Sequence, residues 1–368
     1  MAAAISVSWL NSCCKDKEQK GEAISMGVSE KGTRAVVDNK ASLISQAINS
    51  GTGFGVYGCK NTSSSSLLVF DNFEVTPASN TEDPEWTYTP IRYWDKNPQV
   101  NYQFIAYWPH VGQTSVNDAP YTTVDVQNKE LTIHDIPFWQ DAALAATADF
   151  MTAVRKGNYS LGDFDVPNSE LKRVRFTFSH ILAKFVIRAY YVGIEQNSVT
   201  VSGLRLTKGL SNNPILNSNG KASYSETFGE TYGNSFSGNT PTSQGVHNLL
   251  TPDNAVTLPT TTFDDGTEES THGYEEICAW LMVPCSGWTN LGLAIDCSIA
   301  GAAPITYNVH ELSLNTTVNE VVQNGQTYSG RSYIVTLKFD SSGGGVELQS
   351  VLVRDWEEQE ISTSVHNW

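Results

Sequence analysis

The chain has 368 residues, so about two domains are expected at roughly 150 residues each, and a single small module is excluded. Only 17% of residues are charged, against roughly 25% in ordinary globular chains, while 40% are hydrophobic and 28 are Gly, a strand-and-turn composition. With 23 Lys and Arg against 39 Asp and Glu the net charge is −16, which argues against nucleic acid and anionic lipid as partners, and no run of 18 apolar residues could span a bilayer as a helix.

At the N-terminus, Ala2 to Leu10 is a nine-residue apolar segment, followed by Asn11-Ser12-Cys13-Cys14 and the charged stretch Lys15-Asp16-Lys17-Glu18. Leu10 three residues before Cys13, with the small Ser12 just ahead of it, resembles the lipobox of a bacterial lipoprotein signal. The resemblance implies acylation of Cys13; the alternative is an ordinary N-terminus with an incidental cysteine, since no Lys or Arg precedes the apolar segment. Further on, Ile24, Met26 and Val28 alternate with Ser25, Gly27 and Ser29, the period of a half-buried strand. Gly32-Thr33-Arg34-Ala35 then offers a basic site suited to a trypsin-like protease.

Short strand candidates punctuated by turns follow, among them Gly53 to Gly58, Leu67 to Val75, Trp86 to Tyr93, Val100 to Trp108, Thr122 to Val126 and Glu130 to Ile136. This spacing predicts a β-sandwich. Asp141 to Arg155 is Ala-rich and predicts a short helical crossover. From Val174 to Tyr191 the apolar phase changes at His180: Phe176 and Phe178 share one phase, Ile181, Ala183, Phe185 and Ile187 the other. A bulge or bend is therefore expected at His180. Val199 to Leu206 reads as another strand. The turn cluster from Gly209 to Pro214 suggests a division into residues 1–34 (signal and pro-segment), 35–212 and 213–368. Residues 217–276 are loop-rich. Ile277 to Pro284, Leu291 to Ile299, Ile305 to Val309, Tyr333 to Phe339 and Val346 to Val353 read as strands of a second sandwich. After Trp356 come Glu357-Glu358-Gln359-Glu360, then Ile361, Thr363 and Val365 alternating with Ser362 and Ser364, and finally Trp368.

No G-x-S-x-G, H-E-x-x-H, P-loop or dinucleotide fingerprint occurs, so no enzyme class is indicated. Ser169-Glu170-Leu171-Lys172 matches S-x-x-K without its companion elements, and Asp264, Asp265, Glu268 and Glu269 do not follow calcium-loop spacing. Plentiful carboxylates offer no preferred pair, and the seven histidines are scattered. Six cysteines (13, 14, 59, 278, 285 and 297) lack the C-x2-C pairs of a zinc site; they read as small buried hydrophobes, with one bridge among the last three allowed. Neither metal nor cofactor is implied. Trp86, Tyr88, Tyr93, Trp94, Tyr107 and Trp108 are either sandwich packing or a sugar-stacking platform.

In order, then, the chain carries a lipobox, an alternating strand ended by Arg34-Ala35, two predicted sandwiches and a tail around Trp356 to Trp368. Further features are Ala106-Tyr107-Trp108-Pro109, Phe178-Ser179-His180 with Ala183-Lys184, and Ser332-Tyr333-Ile334-Val335. Together these resemble the fimbrillins, the pilus subunits of Bacteroidales. The resemblance implies an all-β chain of two tandem transthyretin-like sandwich domains, exported as an outer-membrane lipoprotein and trimmed after Arg34 by an arginine-specific protease. It further implies polymerisation with other pilus subunits by strand exchange into a cell-surface fimbria. Ile24, Met26 and Val28 would then form the pro-strand. The donor would come from Val346, Leu348, Leu352, Trp356, Ile361, Val365 and Trp368, with a host protein or glycan as adhesion receptor. The opposing readings are a surface lipoprotein that binds glycans without polymerising, and a tip or accessory adhesin.

Overall fold

The computed structural model describes residues 22–28, 40–97, 99–141, 149–159, 173–192, 198–207, 220–228, 235–238, 247–258, 260–261, 274–284, 291–312, 315–318, 321–324, 327–340 and 345–355. In chain order the elements of the first half are β1 (Ser25–Val28), α1 (Lys40–Ser50), β2 (Phe54–Asn61), β3 (Ser66–Pro77), β4 (Trp86–Thr87), β5 (Asn101–Trp108), β6 (Tyr121–Asp125), β7 (Glu130–Pro137), β8 (Trp139–Asp141), β9 (Met151–Tyr159), β10 (Arg173–Phe176) and β11 (Ser179–His180). There follow β12 (Ala183–Val192), β13 (Val199–Thr207), β14 (Lys221–Thr227), β15 (Ser235–Gly238), β16 (His247–Leu250), β17 (Val256–Leu258), β18 (Thr260–Thr261), β19 (Glu275–Met282), β20 (Leu291–Ile299), β21 (Ile305–Leu312), β22 (Asn315–Val318), β23 (Val321–Asn324), β24 (Arg331–Asp340) and β25 (Gly345–Asp355). The chain is thus built from strands, as its composition predicts.

An eight-stranded sheet runs β10-β1-β4-β3-β2-β5-β9-β11. It closes on itself as a sandwich, because Val174 and Trp86 from one end share a core with Phe104 and Ala153 from the other. The curl has a local cause: β3 turns at Asn72, whose φ is +55°, and the β2–β3 ladder shifts register twice around Gly58. Helix α1 closes this core with Leu43, Ile44 and Ala47, at one-turn spacing, and Gly51 ends it in the left-handed region at φ +70°.

Strands β2 and β5 are apolar on both faces. Phe54, Val56, Phe104, Ala106 and Trp108 point into the first core, whereas Tyr57, Cys59, Ile105 and Tyr107 belong to a second one. Over that second face lies the sheet β15-β14-β7-β6, contributing Leu131, Ile133 and Tyr224. Gly55 permits the contact, since a Cβ there would sit 2.2 Å from the Tyr107 ring. The second core continues between the sheets β25-β24-β12-β19-β8 and β16-β13-β20-β21, filled by Phe185, Ile187 and Val335 from one and Val201, Leu206 and Ile295 from the other.

Three stretches of the chain bear on the sequence expectations. The Ala-rich segment is not helical where described: Met151 to Arg155 lies in β9, paired with β5, because Met151 and Ala153 face one core and Thr152 the other side. The bend at His180 is present, dividing the run into β10, β11 and β12. Backbone pairing also crosses residue 212: β12 and β13 pair with β24, β19 and β20, and β14 pairs back to β7.

Candidate strand slot in the first sandwich

Strand β1 is an interior strand only four residues long. It pairs in parallel with β10 (Ser25 with Arg173, Met26 with Val174, Gly27 with Arg175, Val28 with Phe176) and antiparallel with β4 through Met26 and Trp86. Just before it, the Ile24 N–H donates to the Arg92 carbonyl at 2.9 Å and the Trp94 N–H to the Glu22 carbonyl at 2.9 Å. The Tyr88 hydroxyl donates to the Ile24 carbonyl at 2.5 Å. Burial raises that hydroxyl to about 12, so it keeps its proton, and its donor role, at ordinary pH.

The side chains are deeper than the short pairing suggests. Ile24, Met26 and Val28 are 2%, 1% and 2% exposed. Around them stand Val174 and an aromatic group in which Phe54 lies 5.0 Å from Trp86, 5.7 Å from Phe176 and 5.4 Å from Phe178, ring centre to ring centre. Each of the three buried side chains contributes about 1.5–3 kcal/mol. The hold on β1 is therefore apolar and sequence-tolerant in its pocket, and backbone-directed along its edges.

Above the strand, on the side of Ser25 and Gly27, Arg173 Nη1 and Arg175 Nη2 lie 3.3 and 3.6 Å from Asp83 Oδ2. The arginines stand on β10 and Asp83 in the loop before β4, so these ion pairs pass over β1. A Cβ placed on Gly27 would lie 3.7 Å from Arg173 Cδ and 3.9 Å from Trp86 Cδ1. The Trp86 indole nitrogen is buried and has no hydrogen-bond partner among the described residues.

Of the predicted site residues, Ile24, Met26 and Val28 come together in this slot. Val346, Leu348 and Leu352 stand on β25, in register with Phe339, Leu337 and Ile334 of β24 in the same chain. Cys13, Arg34, Ala35, Trp356, Ile361, Val365 and Trp368 lie outside the described residues, as do Ser169 to Lys172, the acidic group from Asp264 to Glu269, and Cys285. Among the described residues no group of three or more His, Cys, Asp or Glu could hold a metal. Cys59 and Cys297 are buried and free, and burial pushes the Cys297 thiol up to about 11.

The aromatics resolve as packing. Trp86, Tyr88, Trp94, Tyr107 and Trp108 are buried, and Tyr93 alone of the six is exposed. No sugar platform forms from them. His180 is buried, with Nδ1 2.9 Å from Asp149 Oδ1, which pins the bend between β11 and β12. The slot walls have no local signature as such: Trp86 and Tyr88 stand out only as aromatics of a strand candidate, and Asp83 and Arg173 carry no local pattern.

A fimbrillin-like family model matches residues 33–356. Among solved structures, the chain is similar to a fimbrial protein from Bacteroides vulgatus at 17% identity and a TM-score of 0.53, covering 91% of this chain and 100% of that one. That likeness is one of fold. A candidate cell adhesion protein from Bacteroides uniformis aligns at 16% identity and a TM-score of 0.46, over 92% of this chain and 99% of that one. No curated protein matches the chain. The match over most of its length, with the all-β architecture described above, places the chain in the fimbrillin-like family.

Proposed function

We propose that the chain is a structural subunit of a cell-surface pilus, made as an outer-membrane lipoprotein acylated at Cys13, trimmed after Arg34 and polymerised by strand exchange. In this reading its sandwiches are tandem transthyretin-like domains, and the fibre supports adhesion to a host protein or glycan.

One observation carries the reading: β1 is a four-residue interior strand whose Met26 and Val28, with Ile24 just before it, are almost fully buried, and Arg34-Ala35 lies a few residues beyond it. A cut there severs β1 from the rest of the chain and leaves noncovalent contacts alone to hold it. Once it leaves, its slot exposes apolar surface and unpaired backbone on two neighbouring strands, and an incoming strand satisfies both. A head-to-tail contact of this kind does not close on itself and extends as a filament. The family match beginning at residue 33 and ending at 356 fits the same division, with the pro-segment on one side and the tail on the other.

Strand β25 is already committed to its own sheet along its length. The donor role therefore falls to the tail, with Ile361, Val365 and Trp368 as its apolar residues. The reading as a non-polymerising glycan binder loses most of its sequence basis, because five of the six aromatics it needed are core residues.

Arg34→Ala should leave the protein folded and monomeric after treatment with an arginine-specific protease, while the parent forms ladders on an unboiled gel. A variant that assembles at the parental rate would refute the processing step. Trimming also removes five Lys or Arg against four Asp or Glu, so the net charge goes from −16 to −17.

A further inference from the structure

We infer that the slot filled by β1 is shaped for residues 361–365 of a second copy of this chain, Ile361 taking the place of Ile24 and Val365 that of Val28. The inference rests on the strand-exchange reading and adds to it the partner and the register.

The two segments correspond residue by residue. Residues 24–28 read Ile-Ser-Met-Gly-Val and residues 361–365 read Ile-Ser-Thr-Ser-Val. The first, second and fifth residues are identical. The apolar ends would occupy the pockets of Ile24 and Val28, each almost completely closed to solvent. At the third position Thr363 fills less of its pocket than Met26, which leaves the fourth position as the discriminating one.

Two independent features of the slot restrict that fourth position. The first is size. Gly27 lies beneath the ion pairs from Arg173 and Arg175 to Asp83, and a Cβ there already touches Arg173 Cδ at 3.7 Å and Trp86 Cδ1 at 3.9 Å. A Cβ at these distances is in ordinary contact, so Ala or Ser fits, whereas a longer side chain must push aside the arginine stem or the indole.

The second is polarity. Cδ1 is the ring atom bonded to the indole nitrogen, and that nitrogen is buried with no acceptor among the described residues while β1 is in place. An unsatisfied buried donor is costly. Glycine has nothing to offer it. Serine carries a hydroxyl one bond beyond the Cβ, in reach of the indole N–H. Ser364 thus meets both restrictions: at this position the tail offers an acceptor to a donor that β1 leaves unpaired, while Thr363 gives up part of the burial of Met26, so the fourth position fixes the register of the incoming strand.

The test uses the full chain, trimmed by an arginine-specific protease, with assembly followed by light scattering and unboiled gels. Ser364→Leu should slow assembly by roughly tenfold or more, and adding Arg173→Ala should restore most of the rate. Ser364→Ala should weaken assembly by a smaller factor. Gly27→Ser should slow release of the severed N-terminal segment by roughly tenfold, because β1 then satisfies the indole itself. Ser364→Leu assembling at the parental rate, or slow without rescue by Arg173→Ala, would overturn the register, as would unchanged release in Gly27→Ser. Deleting residues 357–368 separates the two levels. If the truncated chain still polymerises, tail-mediated exchange itself fails; if it does not and Ser364→Leu assembles normally, only the register fails.

Discussion

Strands β1 and β25 are opposite solutions to holding a strand. Strand β25 is eleven residues long, sits at the edge of its sheet, and is matched with β24 at ten positions. Its Val346, Val351 and Val353 are only half-buried. Strand β1 has four residues, four paired positions on one side and one on the other, yet its side chains are among the most buried in the molecule. Backbone length holds β25, and side-chain burial holds β1. A strand held by burial in a shaped slot is replaceable by another strand with matching side chains, whereas one held by a long ladder is not easily surrendered. On the strand-exchange reading proposed above, the contrast assigns the exchange to the front of the chain.

Substitutions can break the contrast, and the largest effect is expected in the slot. Met26→Ala should cost about 2–5 kcal/mol, whereas Val353→Ala on β25 should cost about 1 kcal/mol, both read from denaturant unfolding. Equal losses would mean that burial does not distinguish the two strands. Tyr88→Phe removes the donor to the Ile24 carbonyl and should cost about 1–2 kcal/mol. Hydrogen exchange should quicken at residues 22–28 and remain unchanged in β24 and β25.

Glu226 sharpens the comparison from outside both strands. Burial raises its carboxyl above the ordinary glutamate value, while the hydroxyls of Thr152 and Tyr224, donating at 2.5 and 2.8 Å, pull it back part of the way. The folded chain therefore binds this proton more tightly than the unfolded one. Its contribution to stability is complete below the ordinary glutamate value and is lost as pH rises through the folded value. Glu226→Gln should stabilise the fold at pH 7 by on the order of 1 kcal/mol and make no difference in acid, as measured by melting across pH. The smallest effect belongs to Asp83→Asn. Its ion pairs are partly exposed, so the monomer should lose less than about 0.5 kcal/mol, and less still in high salt, while release of severed β1 becomes faster.

Much of the architecture was legible because strand period and turn residues are local signals. Ile24, Met26 and Val28 declare a buried face by alternation alone, and the change of phase at His180 reports its bend. Helix α1 was not legible, since Leu43, Ile44 and Ala47 form too narrow an apolar stripe among polar residues to stand out without the core they cover. Nor was the pairing across residue 212, because which strands become neighbours is decided by long-range contacts such as β7 with β14. The slot walls were hidden for the same reason: Asp83, Trp86, Tyr88 and Arg173 are separated by up to ninety residues and acquire meaning only around β1.

The most direct measurement is the fate of the peptide ending at Arg34. After trimming, monomer and polymer are separated by size, and each fraction is denatured and weighed by mass spectrometry. The account predicts that trimmed monomer retains the peptide carrying Ile24, Met26 and Val28 and that polymer has lost it, one peptide for each subunit incorporated. Polymer that still holds the peptide at one per subunit would contradict strand exchange in this slot.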